Sequence, residues 1–214
     1  MSDYYKIKLV GKKELAKNIT RYIFEPNEKF VFLPGNYAIM FNNKNPNTAG
    51  MSRPFTISSS PNEKNVNFTI KKVGTFTTEL EKLDIGDSLD IEAPLGSLAY
   101  KPEHHGKNII FIAGGTGITP YLSMKKYAEE ENHNTNFKLF YSVKDKDELI
   151  TEDANKIIIS SEGKRIDEEF LKENISKEEL NNSFIFVCGP PPMEKAIEKI
   201  LVKLSAKKVI VEGN

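Results

Sequence analysis

The spacing of apolar positions changes character once along the chain, near residue 100. Before that point the apolar residues fall in short runs at 5–10, 19–25, 37–41, 53–58, 66–73 and 88–93. Leu33-Pro34-Gly35-Asn36, Asn45-Pro46-Asn47 and Ile85-Gly86-Asp87 break them. Runs of this length, closed by glycine, proline and asparagine, predict strands, and six of them at this interval predict a small antiparallel β-barrel or sandwich. One helix interrupts the series at 77–83. There Thr77 or Thr78 can cap the amino end, while Leu80 and Leu83 share a face.

After residue 107 the rhythm becomes strand, turn, helix. Apolar runs at 108–113, 137–143, 156–160, 183–188 and 208–212 read as parallel strands, with helices at 120–131, 167–174 and 193–204. Only 149–155 is available to cross from the second of these strands to the third, so a one-turn or irregular connection is expected. The polar stretch 101–107 contains Pro102 and Gly106 and separates the two patterns. The expected organisation is a β-barrel domain over 1–102 followed by an α/β parallel-sheet domain over 107–214.

Composition narrows the field. The 214 residues allow two domains of about 100 residues each. Thirty basic residues balance thirty acidic ones, so no overall field attracts nucleic acid or an anionic membrane. No run approaches the length of a membrane span, and the first eight residues hold no signal-like apolar core, which makes the cytoplasm the expected location. Cys188 is the only cysteine. That excludes an internal disulfide, a four-cysteine zinc site and a self-contained iron–sulfur cluster. His104, His105 and His133 read as solvated surface, and no metal site is expected.

Four runs carry chemistry. In Arg53-Pro54-Phe55-Thr56, Arg53 and Phe55 point the same way along a strand. Arg53 offers a guanidinium fork to phosphate, Phe55 a ring to pack on a flat ligand and Thr56 a hydroxyl at its edge. The plainer alternative is an ordinary strand with one exposed Arg and one core Phe. In the run 69–78, Ile70 and Lys71 lead into Gly74, Phe76 and Thr77 at a helix start, where amides and the Thr77 hydroxyl can meet a phosphate; a capped helix after a hairpin is the alternative. Gly114-Gly115-Thr116-Gly117-Ile118-Thr119-Pro120 follows an apolar strand and opens a helix, which is where open α/β sheets bind nucleotides. It is not a P-loop. Last, Cys188-Gly189-Pro190-Pro191-Pro192-Met193 puts a compact thiol at a second strand end, with the prolines as a rigid wall before a helix beginning near Met193.

Taken in order, these four runs resemble the ferredoxin–NADP reductase superfamily. Its Arg-x-Tyr/Phe-Ser/Thr flavin motif is similar to Arg53, Phe55 and Thr56, and its second phosphate-binding turn to Gly74–Thr77. Its nucleotide turn is similar to the run from Gly114 to Pro120 and its Cys-Gly-Pro-Pro run to Cys188–Met193. The resemblance implies a barrel that binds FAD, or FMN, and an α/β domain that binds NAD(P)H. It also implies catalytic parts for Thr56, Cys188 and Glu212, and contacts from Gly189, Pro190 and Met193. Plant-type members end in Val-Glu-Val-Tyr, whose aromatic covers the flavin. Here the sequence reads Val211-Glu212-Gly213-Asn214, so Glu212 matches and the ring does not. Ser160-Ser161, with Lys164 and Arg165 nearby, leaves NADH and NADPH both open.

The function implied is hydride transfer from NAD(P)H to the flavin and delivery of electrons to a protein acceptor such as a ferredoxin, flavodoxin or cytochrome. The alternatives are an electron-transfer subunit of a larger complex and a reductase of free flavin or ferric chelates. The sequence names neither the acceptor nor the oligomeric state.

Overall fold

The computed structural model describes residues 2–43 and 45–212. The chain forms two compact units: Met1–Ala99 with Thr119–Tyr127, and Tyr100–Ile118 with Ala128–Asn214.

The first unit is a six-stranded antiparallel sheet. Its strands are β1 (Asp3–Ala16), β2 (Ile19–Pro26), β3 (Tyr37–Phe41), β4 (Ser52–Thr56), β5 (Val66–Lys71) and β6 (Ser88–Leu95), in the order β4-β3-β6-β1-β2-β5. A bridge from Ile57 to Phe68 links the end of β4 back to β5, so the sheet curls toward a barrel. Alternation fills the interior: Ile7 and Leu9, Tyr22 and Phe24, Ala38 and Met40, Leu89 and Ile91 all point into one core. Strand β1 is longer than the expected run 5–10. Its register shifts between Leu9 and Gly11, so the pairing with β2 absorbs Val10 as an irregularity and continues to Ala16.

Helix α1 (Thr75–Glu81) lies in this unit and buries Phe76 and Leu80 in the core. Its cap is Gly74, in extended conformation, not Thr77 or Thr78. Thr77 is the third helical residue, and its hydroxyl reaches back across the first turn. The early start follows from that side chain, which satisfies the turn from inside the helix.

The second unit is a parallel sheet of β7 (Asn108–Gly114), β8 (Asn136–Val143), β9 (Lys156–Ile159), β10 (Phe184–Cys188) and β11 (Val209–Val211), in the order β11-β10-β7-β8-β9. The near-continuous apolar strands Ile109–Ala113 and Ile185–Val187 are buried, as strands covered on both faces require. Between β8 and β9 there is only a 3-10 turn, Lys146–Glu148, and irregular chain. Helix α2 (Thr119–Glu130) follows β7 in the chain, and its residues Thr119–Tyr127 belong to the first unit. Helices α3 (Glu168–Asn174) and α4 (Lys177–Asn182) precede β10, and α5 (Pro191–Lys203) follows it. Asp167 caps α3 by accepting the Phe170 amide at 2.9 Å.

Three expectations are corrected here. Helix α4 went unrecognised although Ser176-x-x-Glu179 forms a reciprocal capping box. Helix α5 begins at Pro191 with Pro190 as its cap, so two prolines are its first turn and only Pro190 precedes it. Proline is at home there because the first helical amides have no intrahelical partner. The histidines are not solvated surface. His104 is only 2% exposed, and its Nδ1 accepts the Lys101 amide at 2.9 Å. His105 stacks on His133 with ring centroids 3.6 Å apart and on Tyr100 at 5.0 Å. Residues 101–107, expected as a linker, contain a 3-10 turn (Pro102–His104), and His104 packs edge-on against Phe184 and Phe186 of β10.

Candidate functional site

In the first unit, the register Met40↔Arg53 and Ala38↔Phe55 puts Arg53 and Phe55 on the same face of β4 as the inward residues of β3. Pro54 and Thr56 take the opposite face. Phe55 is half-buried and lies 6.0 Å from the Phe76 ring of α1. Arg53 is exposed. Among the described residues its guanidinium bonds only the Ser52 carbonyl, at 2.7 Å, which leaves the rest of the fork open to an anion.

At α1 the Thr77 hydroxyl accepts the amides of Val73 and Gly74, at 2.9 and 3.1 Å, and donates to the Gly74 carbonyl at 3.0 Å. It is spent on the cap and is not the free phosphate donor expected of it. The first-turn amides of Thr75, Phe76 and Thr77 are the donors a phosphate would meet. A methyl group at Gly74 would touch nothing within 4 Å, so the approach is open. The side chains of Ile70 and Phe76 belong to the core, which leaves their backbone as the part a ligand could touch; Lys71 at the end of β5 is half-buried. An exposed cation, an open glycine turn and a half-exposed aromatic ring fit a phosphate-bearing flavin.

In the second unit the strand ends line up. Cys188 pairs with Ala113, Gly114 with Ser142 and Val187 with Val211, so Gly114, Cys188 and Glu212 come to one end of neighbouring strands. Gly115–Ile118 makes a 3-10 turn there, entered through Gly115 at φ +55°, and Pro120 lies in the first turn of α2 after it. A Cβ on Gly117 would overlap the Cys188 carbonyl group and lie 2.8 Å from the Gly189 Cα. The two glycine turns therefore touch backbone to backbone, and Gly117 is required by that approach. The Met193 thioether and the Pro190 ring lie against Gly114. Thr116 is half-buried in the same turn.

Electrostatics mark this end of the sheet. Burial pushes the Cys188 thiol up, and Glu194 and Glu212 add to the effect, so the thiol stays protonated. Glu212 is pushed up to about 7 by burial and by the neighbouring Glu194. Glu194 is itself raised, chiefly by burial, although its Oε1 accepts the Gly189 amide at 2.8 Å. Glu194 was missed from the sequence. The signal was a carboxylate in the first helical turn after Pro190, but its contact with the strand end needed the fold. Gly213 and Asn214, and with them the expectation of an unshielded flavin, lie outside the described residues. No group of three His, Cys, Asp or Glu among the described residues is arranged for a metal ion, and no helix among them is long and apolar enough to cross a membrane.

Two family models match in tandem: an oxidoreductase FAD-binding domain over residues 6–100 and an oxidoreductase NAD-binding domain over residues 111–162. The chain belongs to the ferredoxin–NADP reductase superfamily. NADH-cytochrome b5 reductase 2 of Yarrowia lipolytica is 27% identical, over 89% of this chain and 74% of the relative. A probable dihydroorotate dehydrogenase B electron transfer subunit of Pyrococcus abyssi is 29% identical, over 88% of this chain and 70% of its own. The crystal structure of a ferredoxin NADP+ reductase from Neisseria gonorrhoeae, with bound FAD and NADP, superposes with a TM-score of 0.78 at 19% identity and covers 97% of each chain. With membership of this superfamily come an FAD-binding and an NAD-binding domain, and the activity of an NAD(P)H-dependent flavoprotein reductase that passes electrons to an acceptor.

Proposed function

We propose that this member of the superfamily oxidises NADH and delivers the electrons to a protein acceptor. The observation that carries the reading is the meeting of the Gly117 turn with Cys188–Gly189 at the carboxyl ends of β7 and β10, where an open α/β sheet takes its nucleotide. In this reading Arg53 and the first turn of α1 hold the flavin phosphate, with Lys71 beside them. Phe55 flanks the ring, and Pro54 and Thr56 line its edge. Gly115, Thr116, Gly117 and Pro120 take the nucleotide phosphates, while Gly189, Pro190 and Met193 form the wall beside its nicotinamide. Bound FAD supplies the acceptor for hydride and the means of releasing electrons singly. Cys188, a neutral thiol, touches the nicotinamide without adding charge, and Glu212 holds a proton at the same strand end.

NADH is favoured over NADPH by the pairing of Lys164 near the end of β9. Lys164 is already paired with Glu162 at 2.8 Å, and the Arg165 guanidinium rests on the carbonyls of Ser160 and Lys164 at 2.6 and 2.8 Å. Lys164 is thus offset by a carboxylate, while among the described residues the Nη2 and Nε donors of Arg165 stay open. The curated relatives cited above are named for NADH and NAD(+), which supports the same choice. A second reading, an electron-transfer subunit of a larger complex, is favoured by the similarity to the Pyrococcus subunit.

The test is to purify the protein, quantify flavin and add NADH or NADPH without air. About one flavin per chain, bleached faster by NADH than by NADPH, is expected. Colourless protein that neither FAD nor FMN restores would overturn the reading, and loss of flavin on dilution would favour a free-flavin reductase instead.

A further inference from the structure

The loop that joins β3 to β4 is folded on itself and tied to a helix far along the chain. The Thr48 hydroxyl donates to the Asn42 carbonyl at 2.8 Å and the Thr48 amide to the Asn45 carbonyl at 3.0 Å, so the connection closes into a turn. Within it the Asn47 amide donates to Asn45 Oδ1 at 2.9 Å, which fixes the Asn45 side chain and leaves its Nδ2 to reach outward. What it reaches is a carboxylate on α1. Asn45 Nδ2 donates to Glu79 Oε2 at 2.5 Å and Asn47 Nδ2 to Glu79 Oε1 at 3.3 Å, while Lys82 of the same helix end donates to Oε1 at 2.8 Å. The Glu79 side chain is only 7% exposed. Lys82 and then Asn45 hold its carboxyl below the usual carboxylate range, so it stays ionised. A carboxylate taken out of water is costly unless its oxygens find donors, and two of the three donors here come from the β3–β4 loop.

The two elements joined in this way are those that would meet a phosphate. The loop leads directly into β4, whose second residue is Arg53, and α1 presents the first-turn amides of Thr75, Phe76 and Thr77. Strand β4 and helix α1 also meet through the Phe55 and Phe76 rings, 6.0 Å apart, a contact without a directional bond that tolerates sliding. The hydrogen bonds at Glu79 fix distance and angle. We propose that Glu79 is a positioning residue of the flavin site: by holding the β3–β4 loop on α1, it sets the spacing between Arg53 and the first-turn amides that together grip the flavin phosphate. This rests on the reading of Arg53 and α1 as the phosphate site. Glu79 does not itself touch the flavin.

A carboxylate that served only the fold would give a different pattern of ligand affinities. Flavin-free protein is titrated with FAD and with riboflavin, which carries the same ring system and no phosphate. Glu79→Ala should weaken FAD binding about tenfold, the scale of a misaligned charge-assisted contact, and leave riboflavin binding close to that of the unaltered protein. Glu79→Gln, which keeps one acceptor oxygen, should recover part of the loss. Equal losses for the two ligands, or none, would reduce Glu79 to a tie within the fold and overturn the proposal. Should Glu79→Ala not fold, Asn45→Ala breaks the same link from a half-buried loop position. It should show the same selective loss of FAD, and a variant that binds both ligands as before, or loses both alike, is equally fatal. Arg53→Ala is titrated alongside. A selective loss of FAD there but not in the Glu79 and Asn45 variants sinks this proposal alone, whereas an Arg53→Ala protein that loses no FAD affinity removes the phosphate site and takes the proposal with it.

Discussion

Arg53 stands on β4 with its guanidinium exposed and bonded only to its own neighbour's carbonyl among the described residues. Nothing in the fold needs that side chain, which makes it a clean probe of a ligand. Arg53→Ala should weaken flavin binding by about 2 kcal/mol, the size of a lost charge-assisted contact. The melting temperature of the flavin-free protein should stay unchanged. Titration of both apoproteins with FAD measures the first and a thermal scan the second; equal affinities would leave Arg53 an ordinary surface residue. Thr77 teaches the complementary point. Its hydroxyl was legible as polar and as lying at a helix start, but not as already bonded within the turn, because side-chain partners three residues away compete with any ligand for the same atom.

At the scale of elements, the contact between two turns is the most demanding feature of the second unit. Gly117→Ala would drive a methyl group into the Cys188 carbonyl, and backbone cannot rotate away as a side-chain tip can. The expected cost is about 2 kcal/mol or more of stability, together with weaker nucleotide binding as the turn is pushed off β10. Urea unfolding and nucleotide titration of the variant would check both; a stable variant with full affinity would show that the turns need not touch. Much of this was legible in the sequence. The strands at 19–25 and 37–41 and the glycine turn after 108–113 stand out because their apolar periods and terminators agree. What stayed hidden depended on partners far along the chain. The continuation of β1 past Gly11 is decided by pairing with β2, the packing of His104 by Phe184 and Phe186, and the place of Glu194 by a strand end it does not belong to.

On the scale of the whole molecule, the histidines that open the second unit should make its stability depend on pH. Burial lowers the affinity of His104 for a proton, and burial together with the stacked His133 does the same for His105. The unfolded chain then binds more protons than the folded one as the pH falls. Stability is full above the ordinary histidine range, about pH 6.5, and is lost as the pH drops through the folded values. Denaturation midpoints should fall between pH 7.5 and 5.5. The fall should shrink in His104→Asn, whose side-chain oxygen can still accept the Lys101 amide; an equal fall in both proteins would remove His104 from the account. The protonated thiol of Cys188 has a different consequence. Flavins reduced in air generate peroxide, and peroxide attacks thiolates far faster than thiols. With Glu194 and Glu212 near its only cysteine, the chain keeps that sulfur in the form least open to oxidation, so turnover by the proposed reaction in air should not end in a sulfenic acid at that position.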